Sequence, residues 1–179
     1  MRAVRPIDDF VLTDHDGEAW SLRRQLAAGR AALLTFRGTW CPFSLRTWRG
    51  LSSLTEEVAA TGVPLLGISA DDPWTLAGFR IRLDLPYRLL SDPQLVAARR
   101  LGVACGRRHP RARTYPAGAF LQSGFFVLDS DGTVLHAWVP DSREVDSLAG
   151  GDRPGPREIV AALRLHAVPG GAPAARVAR

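Results

Sequence analysis

Residues 31–44, Ala-Ala-Leu-Leu-Thr-Phe-Arg-Gly-Thr-Trp-Cys-Pro-Phe-Ser, constrain the fold more than any other stretch of this chain. Ala31 to Phe36 is a short, nearly unbroken apolar run, which reads as a strand buried on both faces of a parallel or mixed sheet. The chain turns at Gly38. Beyond it Leu45, Trp48, Leu51, Leu54 and Val58 recur at three- and four-residue steps, so one apolar stripe runs down a long helix ending near Thr61-Gly62. Pro42 suits the first helical position, where its missing N–H costs nothing, and this leaves Cys41 at or next to the N-cap. A thiol there faces unpaired backbone N–H groups and the positive end of the helix dipole, both of which favour thiolate. Arg37 and Arg46 stand close by in sequence. Simple packing also places cysteines beside aromatic residues such as Trp40 and Phe43. The succession of strand, glycine turn, Trp-Cys-Pro-aromatic and amphipathic helix favours the reactive reading.

The chain's 179 residues fit one domain with a full hydrophobic core. Residues 1–166 are expected to form it, and residues 167–179, mainly Pro, Gly, Ala and Arg, read as a disordered tail. With 46% apolar and 23% charged residues the composition is that of a soluble protein, and no stretch approaches the length of a membrane span. The N-terminus lacks the apolar core of a signal peptide, so a cytoplasmic location is expected. A formal charge of +5 raises the question of nucleic acid. All 23 basic residues are arginine, scattered and accompanied by abundant Ala, Gly and Pro, which is the mark of a base bias rather than of a nucleic-acid surface. Two cysteines make no disulfide framework and suit a reducing compartment, while one reversible Cys41–Cys105 bridge stays open. His15, flanked by Asp14 and Asp16, has no further ligand nearby and reads as a turn, so neither metal nor cofactor is expected.

Along the chain, Phe10-Val11-Leu12 and Ala19 to Leu22 flank Asp-Gly in a hairpin. Arg23 to Ala28 is a short helix leading into the central strand. After the long helix, Val63 to Ser69 is a second buried strand. Asp71-Asp72-Pro73 opens a helix to about Arg82, with capping as the role of both aspartates. Tyr87 to Leu90 is a strand, Ser91-Asp92-Pro93 caps a helix from Gln94 to Leu101, and residues 102–118, without usable period, read as a loop carrying Cys105. Phe120 to Leu128 and Thr133 to Val139 flank a second Asp-Gly turn. Residues 141–156 read as irregular, and Arg157 to His166 as a terminal helix. The alternation argues α/β with an antiparallel edge.

The chain resembles a peroxiredoxin-like protein of the alkyl hydroperoxide reductase/thiol-specific antioxidant family, within the thioredoxin-like superfamily, over roughly Asp9 to Val139. Carrying the resemblance are Asp9-Phe10-Val11-Leu12 with Asp16-Gly17, Phe36 to Phe43, Gly67-Ile68-Ser69, Leu90-Ser91-Asp92-Pro93, Leu101-Gly102-Val103 and Phe126 to Gly132. It implies a thioredoxin-like fold, a central mixed β-sheet flanked by helices with an N-terminal hairpin extension. Three departures matter. Many members carry a second cysteine three residues after the first, where this chain has Ser44. Counting without gaps from Phe36, Cys41 stands where typical peroxiredoxins have a threonine, and Ser44 where they have the attacking cysteine. Before the last hairpin, Gln122-Ser123-Gly124 stands where thioredoxins have a cis-proline and typical peroxiredoxins an arginine; Arg37, Arg111 or Arg113 would have to substitute.

On this reading the chain is a thiol-dependent antioxidant oxidoreductase that reduces small peroxides, without a cofactor. Cys41 is the nucleophile, with Ser44 hydrogen-bonding its thiolate and the developing oxyanion, and Thr39 and Arg37 completing the catalytic set. Trp40, Pro42, Phe43 and Ser123 line the substrate site, and either Cys105 or an external thiol resolves the oxidised cysteine. Two alternatives accompany it: monothiol disulfide exchange at Cys41, and a redox-inert binding module of the same fold. Exposed apolar area at an edge would support a homodimer, which periodicity does not locate.

Overall fold

In the computed structural model, which describes residues 6–140 and 153–168, nine strands and six α-helices are arranged about one mixed sheet. β1 (Val11–Asp14) and β2 (Ala19–Ser21) form the N-terminal hairpin. α1 (Leu22–Ala27) leads to β3 (Ala31–Thr35), the strand before the cysteine motif. α2 (Pro42–Ser52), α3 (Thr55–Ala59), β4 (Leu65–Ser69), α4 (Pro73–Arg82), β5 (Arg88–Ser91) and α5 (Val96–Leu101) follow. Then come β6 (Cys105–Gly106), a 3-10 turn (Pro110–Thr114), β7 (Phe120–Leu121), β8 (Gly124–Leu128), β9 (Val134–Trp138) and α6 (Pro156–Leu165). The large sheet runs β2-β1-β5-β4-β3-β8-β9, and β6 pairs with β7 separately. β3, β4 and β5 are parallel, while the hairpin and β8-β9 add antiparallel edges.

Alternation along the central strands sorts the core onto two faces. Ala31, Leu33, Phe126 and Leu128 point to one face, under α1 and α5. Ala32, Leu34, Phe125 and Val127 point to the other, under α2, α3, α4 and α6. Trp48 of α2 is fully buried there, and its ring is seated directly on β4 because position 67 is glycine: a Cβ at Gly67 would stand 2.6 Å from Trp48 Cζ2. Truncating such a side chain costs about 3–5 kcal/mol, so Trp48 anchors α2 and the cysteine before it.

Several boundaries differ from the pattern-based expectation. The single long helix after Cys41 is two, because hydroxyls around residues 52–55 bond elsewhere: Ser53 Oγ donates to Gly50 O at 2.8 Å, Thr55 Oγ1 to Ser52 O at 2.8 Å and Ser52 Oγ to Leu83 O at 3.1 Å. Residues 102–118 are not merely a loop but hold β6 and the 3-10 turn. The expected strand from Phe120 to Leu128 is two strands, parted where Thr35 Oγ1 takes Gln122 O as acceptor at 2.8 Å. Before α5, Leu95 adopts a left-handed conformation (φ 57°), and Asp92 caps from further upstream by accepting from Val96 N and Ala98 N. His15 lies in the first turn as read, buried, with Leu89 N donating to its Nδ1 at 3.2 Å. The irregular stretch expected at 141–156 lies outside the described residues as far as 152, and Pro156 already belongs to α6. Of the expected tail, Ala167 and Val168 are placed, Val168 N donating to Thr61 O at 2.9 Å, and the rest lies outside the described residues. Among the described residues no helix is long and apolar enough to cross a membrane.

Candidate active site

The C-terminal ends of β3, β4 and β5 meet at one edge of the sheet, where open α/β folds place their chemistry. β3 ends at Thr35, and the chain passes Phe36 and Arg37 into a turn at Gly38, whose φ of +140° only glycine adopts readily. A Cβ at Gly38 would also stand 2.6 Å from both Trp40 Nε1 and the Tyr115 hydroxyl. Cys41 N closes the turn by donating to Gly38 O at 3.2 Å, and Leu45 N donates to Cys41 O at 2.9 Å. Cys41 is therefore the N-cap of α2, extended (φ −79°, ψ 122°), with Pro42 at the first helical position. Its residue is 1% exposed and its thiol is free.

The cation acting on this thiol is Arg153, whose guanidinium interacts with it electrostatically. Arg153 also lies over the Phe43 ring, 5.2 Å from its centroid. Burial holds Arg153 below the usual arginine range; the Cys41 charge pulls it back up and Arg37 pushes it further down. Arg37 is 4% exposed and held between aromatic faces, with its Cζ 5.4 Å from the Trp40 centroid and 5.1 Å from that of Phe120, and its Nε has no hydrogen-bond partner.

Asp71 fixes the turn that carries the cysteine. Thr39 N donates to its Oδ2 at 2.8 Å, Ser69 Oγ to the same oxygen at 3.1 Å, and the Tyr115 hydroxyl to its Oδ1 at 2.7 Å. Trp40 Nε1 in turn donates to the Tyr115 oxygen at 2.8 Å. Burial, and then the Asp71 charge, push the Tyr115 phenol well above its ordinary range, so it stays a donor. His109 stacks on Trp40 at 4.8 Å, and Arg111 lies over the same ring at 5.9 Å.

Around Cys41 the structure places Arg37 on Trp40, Arg153 on Phe43, and the Thr39 backbone N–H on Asp71. Ser123 joins them on the wall of a cleft shared with Ser44 and Arg153. Pro42 is exposed and serves as the helix start. Two expectations are corrected. Ser44 does not hydrogen-bond the thiolate: its Oγ is buried without a partner and faces the cleft, and Arg153 takes the role instead. Asp71 is not a helix cap: only Asp72 is, accepting from Thr75 N at 2.9 Å, while Asp71 turns inward to the cysteine turn. Cys105 sits in β6 against the opposite core face, its sulfur 3.8 Å from Val103 O, and burial pushes its thiol up. Arg153, Asp71 and Tyr115 escaped the sequence reading. The only signal was Asp71 as an aspartate one residue too early to be the cap; nothing local marks Arg153.

A model of the AhpC/TSA family matches residues 4–137. Putative peroxiredoxin bcp of Haemophilus influenzae is 33% identical over 89 residues, 50% of this chain, and the match spans about half the length of that relative, 55%. Peroxiredoxin Bcp of Escherichia coli K12 is 29% identical over 129 residues, 72% of this chain and 80% of its own. The crystal structure of peroxidoxin BcpB from Mycobacterium tuberculosis superposes with a TM-score of 0.69 at 26% identity, covering 92% of this chain and 97% of that one.

Proposed function

This chain belongs to the AhpC/TSA family, and from that premise we propose that it is a thiol-dependent peroxidase whose nucleophile is Cys41. The observation that carries the assignment of the nucleophile is Cys41 at the N-cap of α2 with the Arg153 guanidinium on its sulfur. The positive end of the α2 dipole and the Arg153 cation both lie on the side of the sulfur. The thiolate attacks the terminal oxygen of a hydroperoxide ROOH, the O–O bond breaks, and Cys41 becomes a sulfenic acid while RO⁻ leaves and takes up a proton as ROH. Arg37 and Arg153 face the charge that passes from sulfur to the leaving oxygen, and Trp40, Phe43 and Ser123 border the approach.

An external thiol then attacks the sulfenic sulfur, expels water and forms a mixed disulfide; a second thiol releases Cys41 as thiolate and leaves as the disulfide. The cycle turns one hydroperoxide and two thiols into one alcohol, one water and one disulfide. Cys105 is the weaker candidate for the resolving step, because its raised thiol is a poor nucleophile near neutral pH. The reading places the protein in a reducing compartment, the cytoplasm, and assigns the reaction to one thioredoxin-like unit over residues 1–166; a homodimer is compatible with it.

The test follows peroxide consumption by the reduced protein, with mass spectrometry of the products, beside turnover of a glutathionylated peptide. Sulfenic acid or a mixed disulfide on Cys41, formed far faster than on a small free thiol and absent from Cys41→Ser, is the expected result. Oxidation no faster than that of a free thiol, with rapid deglutathionylation, would replace the peroxidase by a disulfide exchanger.

A further inference from the structure

The positive surplus of this chain sits in one stretch of it. Residues 93–128 hold six arginines, at 99, 100, 107, 108, 111 and 113, and neither Asp nor Glu, whereas the whole chain carries only +5. A base bias puts arginine in place of lysine; it does not strip out acids. Arg100 is spent on Asp8, its Nη1 2.9 Å from Oδ2. Arg107, Arg111 and Arg113 are exposed and have no carboxylate partner among the described residues.

These three belong to one excursion of the chain laid over Trp40, the residue before Cys41. At its start Gly106 pairs with Phe120, whose ring meets that of Trp40 edge-on at 5.3 Å. In its middle His109 stacks on Trp40 at 4.8 Å, and Arg111 lies over the same ring at 5.9 Å. At its end the Tyr115 hydroxyl accepts from Trp40 Nε1 at 2.8 Å and donates to Asp71, which also holds the Thr39 amide. Ala112 is fully buried and leaves its neighbours Arg111 and Arg113 outward. Exposed positive charge is thereby fastened to the cysteine turn at both ends and in the middle. Such a field steers an oppositely charged partner and raises its encounter rate. Nucleic acid is disfavoured because no aromatic face is open for base stacking: Phe120 and Tyr115 are buried, and His109 covers Trp40. The charges are also spread, Arg107 acting on Cys105 and Arg111 on Tyr115. A partner that engages them together has the breadth of a protein surface rather than of a small thiol.

We propose that the external reductant of Cys41 is a dithiol protein with an acidic surface around its own thiols, and that Arg107, Arg111 and Arg113 are the surface on which it docks. Its thiolate attacks the oxidised Cys41 sulfur and water leaves; its second thiol then breaks the mixed disulfide, frees Cys41 as thiolate and closes the partner's own disulfide. That chemistry rests on the reading of Cys41 as the nucleophile resolved by an external thiol.

The test uses the full chain with Cys105→Ser and with Cys41 loaded chemically as its mixed disulfide with 2-mercaptoethanol, so that no peroxide is needed. Release of 2-mercaptoethanol is timed with two synthetic Cys-Gly-Pro-Cys peptides, one flanked by six glutamates and one by six glutamines, and with neutral dithiothreitol. The glutamate peptide is expected to react at least tenfold faster at low salt, with the advantage falling below about twofold in 0.5 M NaCl. In Arg107→Gln/Arg113→Gln the advantage should drop at least threefold while the dithiothreitol rate stays within twofold. Arg107→Glu/Arg113→Glu should instead favour a lysine-flanked peptide, an inversion that a folding defect does not produce. Equal rates for the two peptides at low salt, or an advantage unchanged in both double variants, would overturn the proposal. So would tighter binding of a twenty-residue oligothymidylate than of the glutamate peptide, lost in the same variants. If the acidic peptide keeps its advantage while hydroperoxides are consumed no faster than by a free thiol, the docking surface stands and the peroxidase fails. If hydroperoxides are consumed rapidly and the peptides do not differ, the peroxidase stands and the docking surface fails.

Discussion

The two cysteines of this chain occupy contrasting surroundings. Cys41 caps an eleven-residue helix, is 1% exposed, and has a guanidinium on its sulfur. Cys105 lies in a two-residue strand, half-buried, with a backbone carbonyl 3.8 Å from its sulfur; burial raises it first, and Asp92 raises it further against the opposing pull of Arg107 and Arg99. Residue type and burial alone do not separate them, since the more buried thiol is the one assigned to chemistry. What separates them is the helix start: Cys41 caps α2, whereas Cys105 lies in a two-residue strand with no helix behind it.

The comparison breaks most sharply under substitution of the thiols themselves. Cys41→Ser is expected to lower hydroperoxide consumption by roughly a thousandfold or more, whereas Cys105→Ser keeps it within about twofold; stopped-flow assays with an external thiol reductant read both. Next comes the charge at the sulfur. Arg153→Gln should slow Cys41 alkylation by iodoacetamide at pH 7 by about tenfold to a hundredfold, the worth of a charge-assisted hydrogen bond, and leave Cys105 alkylation unchanged; equal slowing at both sites would show a global effect of the substitution.

A smaller effect is expected at the support of the Cys41 turn. Tyr115→Phe leaves Asp71 Oδ1 and Trp40 Nε1 without their partner, and a loss of about 1–3 kcal/mol in urea denaturation is expected. A comparable effect, visible only as pH is varied, is expected on the Cys105 side, where burial raises the Asp92 carboxyl to about 6 despite the N–H groups of Val96 and Ala98. The folded state then holds a proton that the unfolded chain releases. Its stabilising share is complete below about pH 4 and is lost as pH rises through 6, up to roughly 2–3 kcal/mol. Thermal melts between pH 4 and 7 should show this slope in the wild type and a flatter one in Asp92→Asn.

Much of the first surrounding was legible in sequence and little of the second. The strand at Ala31–Thr35, the turn at Gly38 and the cap at Cys41-Pro42 are set by neighbours in the chain, so local pattern suffices. Arg153 reaches Cys41 only because the start of α6 packs against α2, Pro156 standing beside Gly50, and no periodicity records such a return. Asp71 looked like half of an Asp-Asp-Pro cap because a residue's direction at a strand end depends on what the sheet sets opposite, here Tyr115 from a stretch without period. The break at Ser53-Leu54 was hidden for a related reason: the apolar stripe continues across it in α3 while the hydroxyls take the backbone bonds.

Asp71 joins three pieces of chain that are far apart in sequence: the turn before the cysteine, the end of β4 and the segment after the 3-10 turn. Groups tied to one hub loosen together. The Thr39 amide cannot be released while the Tyr115 hydroxyl stays docked without leaving Asp71 short of a bond, so both sides belong to one cooperative opening unit. Hydrogen exchange at the Thr39 amide is expected to read the free energy of opening this unit, two residues from Cys41.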